Sequence, residues 1–409
     1  MYKRSILCLQ KNGIKIFIIG TLILGFLSLV ITGCEGPMGP EGLQGETGPQ
    51  GEKEITCTHN WSNWIPISNA AVTTDGLELK TCTSCGNISG RIGSYATGNI
   101  PDDYFALITT GNYANKAYQI ISGSSALPNE LFIPAYRLYN NEYLPVIYIG
   151  SLALGGKTNL TSITLPETLL SIDWLALQDN PNLINITVNE NNPNFSSQGG
   201  VLYNKEKTRL IAVAGGLSGT LTIPDTVTGS MAYAFRGCSS LTNIILGTSF
   251  GDLGNVVGVH RFDDCTSLLT INVNENNPYF SSQNGVLYNK SKSKIIAFPQ
   301  GIQGEYTVPT SVTNIGDGAF KYCKKITGLI LPVGLIAIES RSLWGCSNIT
   351  NITIPASVTF IGDLAFANWN STQTMYIQGH ASKELADAAW GTGWNNNAVI
   401  WYWGNTWLN

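Results

Sequence analysis

Charged side chains are scarce in this chain, and groups suited to catalysis are scarcer. Asp, Glu, Lys and Arg make up only 12% of its 409 residues, against about 25% in ordinary globular proteins. Basic residues do not cluster outside the N-terminus, which argues against nucleic-acid binding. Only three histidines occur, and no HExxH or GxSxG motif is present. We therefore predict that the protein is not an enzyme; a hydrolase hidden in the insertions described below is the weaker alternative.

The chain has instead a repeat of about 23 residues. The segment 326–332 recurs 23 residues later as 349–355, each ending in proline. Apolar Ile352 and Ile354 flank Thr353, the alternation of a strand with one buried face. A second apolar series has the same register, and its members are called the ladder positions: Leu154, Leu177, Phe235, Phe262, Phe320, Leu343 and Phe366. This pattern predicts a β-rich solenoid of stacked coils with one parallel strand per coil.

Two coils carry the same insertion. The steps from Leu177 to Phe235 and from Phe262 to Phe320 are both 58 residues, which is 12 more than two repeats. Residues 189–205 recur at 274–290, an offset of 85 residues, so a larger block was duplicated. Asn-Pro, Gly and Lys/Ser-rich turns bracket short apolar runs in both copies, which predicts two β-hairpin insertions.

The outward position of the predicted strands holds no charged residue. Stacked β-branched side chains explain this as a structural preference, and a flat contact surface for a partner is compatible with it. We call this column the strand strip; it consists of Thr164, Thr187, Thr222, Ile245, Asn272, Thr307, Ile330, Thr353 and Tyr376.

The coil at 306–323, with its Val-Pro-Thr-Ser-Val, Ile-Gly and Ala-Phe-x-x-Cys elements, recurs without the cysteine at 352–366. It resembles the BspA-like leucine-rich repeat surface proteins of anaerobic and oral bacteria, over about residues 104–385. The coil at 247–265 departs from that pattern because it lacks the proline. The resemblance implies adhesion to host matrix proteins, host cells or other bacteria, and defines no single binding residue. A structural envelope or coat component without a specific ligand is the alternative.

Residues 1–33 read as a lipoprotein signal peptide. Four basic residues precede an apolar run from Ile16 to Ile31, as in secretory signals. The sequence Ile31-Thr-Gly-Cys34 resembles the bacterial lipobox, which implies lipidation of Cys34 and a protein tethered to the cell envelope and exposed at its surface. A plain signal anchor or transmembrane helix with an incidental cysteine is the alternative.

Residues 34–53 form a collagen-like stalk. Glycine recurs every third residue at Gly36, Gly39, Gly42, Gly45, Gly48 and Gly51, the pattern that lets three chains pack around one axis. Two roles are open for this segment: a spacer that lifts the body from the membrane, and a stalk that forms a homotrimer.

Residues 54–100 contain Cys57, His59, Cys82 and Cys85. Two close ligand pairs separated by a hairpin-length segment are the layout of a structural zinc site with no open position for catalysis. The segment also resembles small zinc-ribbon-like Cys/His modules of bacterial surface proteins. A disulfide, Cys82–Cys85 or Cys57–Cys82, is the alternative in an exported protein.

Four further cysteines each follow a ladder position by three residues: Cys238, Cys265, Cys323 and Cys346. Their shared register predicts small, buried thiols that stack in successive coils. The last segment, 386–409, is rich in tryptophan. We predict that it caps the solenoid; stacking of its rings on carbohydrate is the alternative.

Overall fold

The computed structural model describes residues 98–403, apart from 141, 255–260, 392 and 395–398, together with the backbone of five earlier strands. The chain divides into two compact units, Met1–Thr58 and His59–Asn409. In the first unit, Ile6–Lys11 pairs antiparallel with Ile14–Ile19. These strands fall in the predicted signal peptide, which stays a prediction. Cys34 and the glycine-rich stalk lie outside the described residues.

The second unit begins with a three-stranded antiparallel sheet. Its central strand, Leu77–Thr81, pairs with Ile65–Pro66 and with Ile88–Ile92. This sheet belongs to the predicted Cys/His module. All four predicted zinc ligands, Cys57, His59, Cys82 and Cys85, lie outside the described residues.

The body of this unit is a β-solenoid of about ten coils, which confirms the predicted fold. The longer strands pair parallel and in register within four separate sheets, with Thr164 opposite Thr187 and Ile245 opposite Asn272. These strands are Glu130–Phe132, Ser162–Leu165, Asn185–Val188, Gly219–Thr222, Leu241–Leu246, Thr270–Val273, Gly304–Thr307, Ile326–Ile330, Asn351–Ile354, Thr374–Gln378 and Val399–Trp403.

Proline turns the chain away from most of these strands. After Pro309, the N–H of Val312 donates to the proline carbonyl at 3.0 Å, and Val358 does the same to Pro355 at 3.0 Å. Proline suits this position because its fixed φ favours a turn and it cannot extend the ladder. The Pro-x-x-Val element of the repeat therefore encodes the first corner of the coil.

A second parallel sheet follows this corner and is built from very short strands. Ala337–Ile338 pairs with Asn314–Ile315 of the preceding coil and with Phe360–Ile361 of the next. Lys294–Ala297 belongs to the same sheet. Two further sheets hold the equivalent strands of earlier coils, Glu142–Ile149 with Ser171–Ile172 and Arg209–Val213 with Gly229–Ser230. Each coil thus contains a longer strand and a short strand, and the ladder residue lies in the turn that follows the short strand.

The two insertions are antiparallel hairpins, as predicted. Phe195–Gln198 pairs with Val201–Asn204, which pairs in turn with Arg209–Val213. The second copy repeats this arrangement with Phe280–Gln283, Val286–Asn289 and Lys294–Ala297. The third strand of each copy returns the chain to the solenoid by pairing parallel with the short strand of the next coil.

The two ends of the solenoid differ from its middle. At the start, Phe105–Leu107 pairs antiparallel with Tyr118–Ile120, and Tyr136–Tyr139 with Glu142–Ile149. Two 3-10 turns, Asp102–Tyr104 and Gly111–Tyr113, flank the first of these strands. Near the C-terminus, Lys383–Trp390 is an α-helix capped by the Ser382 hydroxyl.

The core lies inside the coils and is made of three hydrophobic clusters along the solenoid. All seven predicted ladder residues are buried, with Phe320, Leu343 and Phe366 at 0% exposure. Val213 and Phe298 hold the same position in the two insertion coils. Their N–H groups donate to the next coil, at Ala234 O and Ala319 O, as those of Leu154 and Leu343 do. They are also buried.

Candidate binding surface

The strand strip is a column of outward-facing strand residues along the solenoid. Its residues alternate with buried neighbours: Ile330 is 48% exposed between Leu329 and Leu331, which are 4% and 8% exposed. Ile245 is 36% exposed in the same column. The other strip residues are exposed or half-buried. Large apolar side chains are thus presented to solvent in a column that has no charge.

Backbone pairing aligns the strip within each of four sheets, with breaks after Thr187, Asn272 and Ile330, and it extends the strip at both ends. Thr353 lies opposite Tyr376, and Tyr376 opposite Trp401. At the other end, Thr164 lies opposite Phe132. The register places an aromatic residue at each end of the column.

Charges gather elsewhere, at the turns around the ladder positions. We call the residues within three positions of a ladder residue the turn ridge. Lys321 Nζ lies 2.8 Å from Asp263 Oδ2, and both side chains are at most 10% exposed. Arg236 Nη2 lies 3.3 Å from Asp179 Oδ2. Burial raises the pKa of Asp263 above its usual value, although Lys321 acts in the opposite direction.

The four predicted stacked cysteines are free thiols and are buried, as expected. Each sulfur faces a carbonyl of the preceding coil, with Cys265 at 3.1 Å from Phe235 O. Burial raises the pKa of Cys323 well above its usual value and that of Cys346 to about 12. Burial and the nearby carboxylate of Asp263 both disfavour the thiolate of Cys323, which fits small side chains that fill the core.

The C-terminal tryptophans are partly described. Trp390 and Trp394 are 7% and 1% exposed, and their indole N–H groups donate to Val358 O and Asp387 Oδ1. Rings buried in this way cannot stack on a sugar. Trp407 lies outside the described residues.

The described residues hold no group of three or more His, Cys, Asp or Glu able to bind a metal ion. Of the three histidines only His380 is described, and its ring packs edge-on against Trp390 at 4.6 Å. Within the described part of the chain, no helix combines the length and apolar character of a membrane span.

The repeat also matches a known family. The model of the BspA type leucine rich repeat region matches residues 138–206, 217–304 and 304–389, with six copies and more than half of the chain. The chain belongs to the BspA-type leucine-rich repeat family. Proteins with these repeats are typically found at the bacterial cell surface, and their solenoids typically serve binding or structural roles.

Solved structures similar to this BspA-type repeat protein include a leucine-rich repeat protein from Eubacterium ventriosum, which is 20% identical over 55% of this chain and 68% of its own, with a TM-score of 0.36. A leucine rich cell surface protein from Faecalibacterium prausnitzii is 19% identical over 74% and 94%, with a TM-score of 0.34. The pneumococcal vaccine antigen PcpA is 14% identical over 75% and 98%, with a TM-score of 0.36. No curated protein matches the chain.

Proposed function

We propose that this BspA-type repeat protein is a lipid-anchored adhesin of the bacterial cell surface, which binds protein ligands on host matrix, host cells or other bacteria along the strand strip. The observation that carries the proposal is the exposure of Ile245 and Ile330 in a column of nine uncharged positions. Each is partly exposed to solvent although isoleucine is among the residue types most often buried.

The physical properties of the strip suit a protein partner. Parallel strands lie about 4.8 Å apart, so ten coils present a surface on the order of 50 Å long. The cores of protein interfaces are depleted of charge and enriched in apolar and aromatic side chains. The ion pairs of the described solenoid lie away from the strip, for example Lys321–Asp263 on the turn ridge. A partner could therefore cover the strip without burying an unpaired charge.

The N-terminal segments complete the proposal. Lipidated Cys34 would hold the protein at the membrane, and the collagen-like segment would carry the solenoid away from it, as a spacer or as the stem of a homotrimer. A structural zinc held by Cys57, His59, Cys82 and Cys85 would stabilise the small module. Fatty-acid labelling of the wild type and of Cys34→Ala tests the anchor, since equal labelling would contradict it.

Binding is tested with the full-length chain in detergent, titrated over immobilised matrix proteins, epithelial cells and partner bacteria. The double variant Ile245→Lys/Ile330→Lys places two charges on the strip. The matched control is Val333→Lys, because Val333 is 82% exposed but lies outside the strip. We expect saturable binding by the wild type and the control, and its loss in the double variant.

Two results would count against the proposal. Saturable binding that survives Ile245→Lys/Ile330→Lys would place the ligand on another surface. The absence of saturable binding to every target would instead favour a structural coat component of the envelope.

A further inference from the structure

The hairpin near the start of the solenoid presents an apolar face to solvent. Its strands, Tyr136–Tyr139 and Glu142–Ile149, pair antiparallel with Leu138 opposite Tyr143. Opposed residues lie on the same face of a sheet, as do alternate residues along a strand, so Tyr136 shares this face. Tyr136, Leu138 and Tyr143 are 36%, 55% and 41% exposed. A cluster of large, uncharged side chains at the surface is typical of a contact site.

The opposite face of the hairpin holds it against the first coil. Leu144 is buried and belongs to the hydrophobic core. The guanidinium carbon of Arg137 lies 4.1 Å from the centre of the Phe105 ring. Its Nη2 lies 2.9 Å from Asp102 Oδ1. Because these contacts fix the hairpin from behind, its apolar face stays turned outward.

The small three-stranded sheet that precedes the solenoid also has an apolar face. Its pairing register and the alternation along its strands assign its residues to two faces. One face carries the aliphatic residues Ile65, Leu77, Leu79, Ile88 and Ile92, and the other carries the charged residues Glu78, Lys80 and Arg91. A sheet with one apolar face is stable when that face packs on another element.

The connection between this small sheet and the hairpin is short. Ile92 ends the last strand of the sheet. The N–H of Asn99 donates to Phe132 O at 3.1 Å, and the N–H of Phe132 donates to Asn99 Oδ1 at 2.6 Å. The chain is thus fixed to a strand that ends four residues before Tyr136. The seven residues from Ile92 to Asn99 span at most about 25 Å, so the sheet lies within reach of the hairpin.

We propose that the aliphatic face of the small sheet docks on the exposed face of the hairpin, so that the Cys/His module caps the N-terminal end of the solenoid. Both faces are apolar and uncharged, and each buries the other. The contact is the same whether the cysteines of the module hold zinc or form a disulfide, and it needs no ligand of the strand strip. It fixes the direction in which the solenoid leaves the module, and with it the orientation of the strip.

Photocrosslinking in the full-length chain tests the contact directly. Benzoylphenylalanine takes the place of Leu138 or, as the control, of Tyr279, which is equally exposed at 56% but belongs to the duplicated segment 274–290. We expect irradiation to link position 138 to a peptide within residues 65–92 of the same chain, and position 279 to none of these residues. Links from position 138 only to a second chain, or to no residue between 65 and 92, would overturn the proposal.

Limited proteolysis shows whether the contact stabilises the small sheet. Trypsin cleaves after Arg91 only when the strand around it opens. Leu138→Asp/Tyr143→Asp places two charges on the hairpin face, and the matched control, Leu152→Asp/Val333→Asp, places them at apolar positions elsewhere that are 54% and 82% exposed. We expect cleavage after Arg91 to be about tenfold faster or more in the hairpin variant than in the control. Equal rates in two variants that keep the circular dichroism of the wild type would overturn the proposal.

Discussion

Cys265 Sγ lies 3.1 Å from the carbonyl oxygen of Phe235, the ladder residue of the preceding coil. Cys346 stands in the same relation to Phe320, at 3.0 Å. Other residue types fill this role at the same position: Asn180 Nδ2 donates to Leu154 O, and Trp369 Nε1 to Leu343 O, both at 2.9 Å. In these coils the position three residues after the ladder thus holds a side-chain donor that bonds the backbone of the coil before it, whereas glycine takes that position after Val213 and Phe298.

We predict that the four solenoid thiols are inert in the folded protein. Alkylation requires the thiolate, and burial raises the pKa of Cys346 to about 12 and that of Cys323 well above its usual value. Brief iodoacetamide treatment at about pH 8, followed by peptide mass spectrometry, should find Cys238, Cys265, Cys323 and Cys346 unmodified. Full alkylation is expected after denaturation in urea. Equal labelling of native and denatured protein would show that the coils open readily.

The sequence predicted this row of cysteines but not its purpose. The equal spacing of the cysteines after the ladder residues indicates that the thiols stack. Which carbonyl oxygen each thiol meets depends on how far one coil is displaced from the next, which the spacing does not show. Asn180 and Trp369 could have indicated a donor, since both are side-chain donors at that spacing. The strands, the strip and the hairpins were predictable because each has an alternation or a duplicated motif.

Other features have no such local signal. Strands of two residues, such as Asn314–Ile315, are too short to show a period. Val213 and Phe298 were not predicted as ladder residues because their coils lack the Ala-Phe-x-x-Cys element.

Asn192, in the duplicated Asn-Pro motif, is predicted to anchor the first hairpin. Its buried amide donates to Pro166 O and Leu169 O at 2.7 and 3.0 Å, and its oxygen accepts from Asn194 N and Phe195 N, both at 2.8 Å. Asn192→Ala leaves these buried backbone groups unpaired, and should lower the free energy of unfolding by about 2–4 kcal/mol.

Urea denaturation followed by circular dichroism measures the effect. The control is Asn191→Ala, because Asn191 is the exposed neighbour in the same motif. In the second copy, Asn277 makes four equivalent bonds, including Gly247 O and Phe250 O at 2.8 Å. Asn277→Ala should therefore match Asn192→Ala; equal stability of Asn192→Ala and Asn191→Ala would refute the anchoring role.

We predict that breaking the Lys321–Asp263 ion pair lowers the stability of the fold strongly, whereas replacing both residues by apolar ones lowers it little. Lys321→Met leaves a buried carboxylate without its cation, which should destabilise the fold by about 3–5 kcal/mol. The double variant Lys321→Met/Asp263→Leu buries no charge, so it should regain most of the stability that Lys321→Met loses. Urea unfolding of the wild type, both single variants and the double variant gives the coupling between the two residues. Additive losses in the double variant would contradict this prediction.

Asp103 is predicted to give the first coil an acid-sensitive contact. Its Oδ2 accepts the N–H groups of Ser124 and Ser125 at 2.6 and 2.9 Å. The Ser125 bond, with that of Ser124, lowers the pKa of Asp103 below its usual 3.8. A carboxyl group whose pKa is lower in the folded state adds stability above its unfolded pKa, and this stability is lost as the pH falls through the folded pKa.

Asp103→Asn removes the charge. The urea midpoints of wild type and variant should therefore differ by a constant amount at about pH 6 and above, and converge as the pH falls through the folded pKa of Asp103. A difference that persists in acid would mean that the carboxylate charge is not what stabilises this turn.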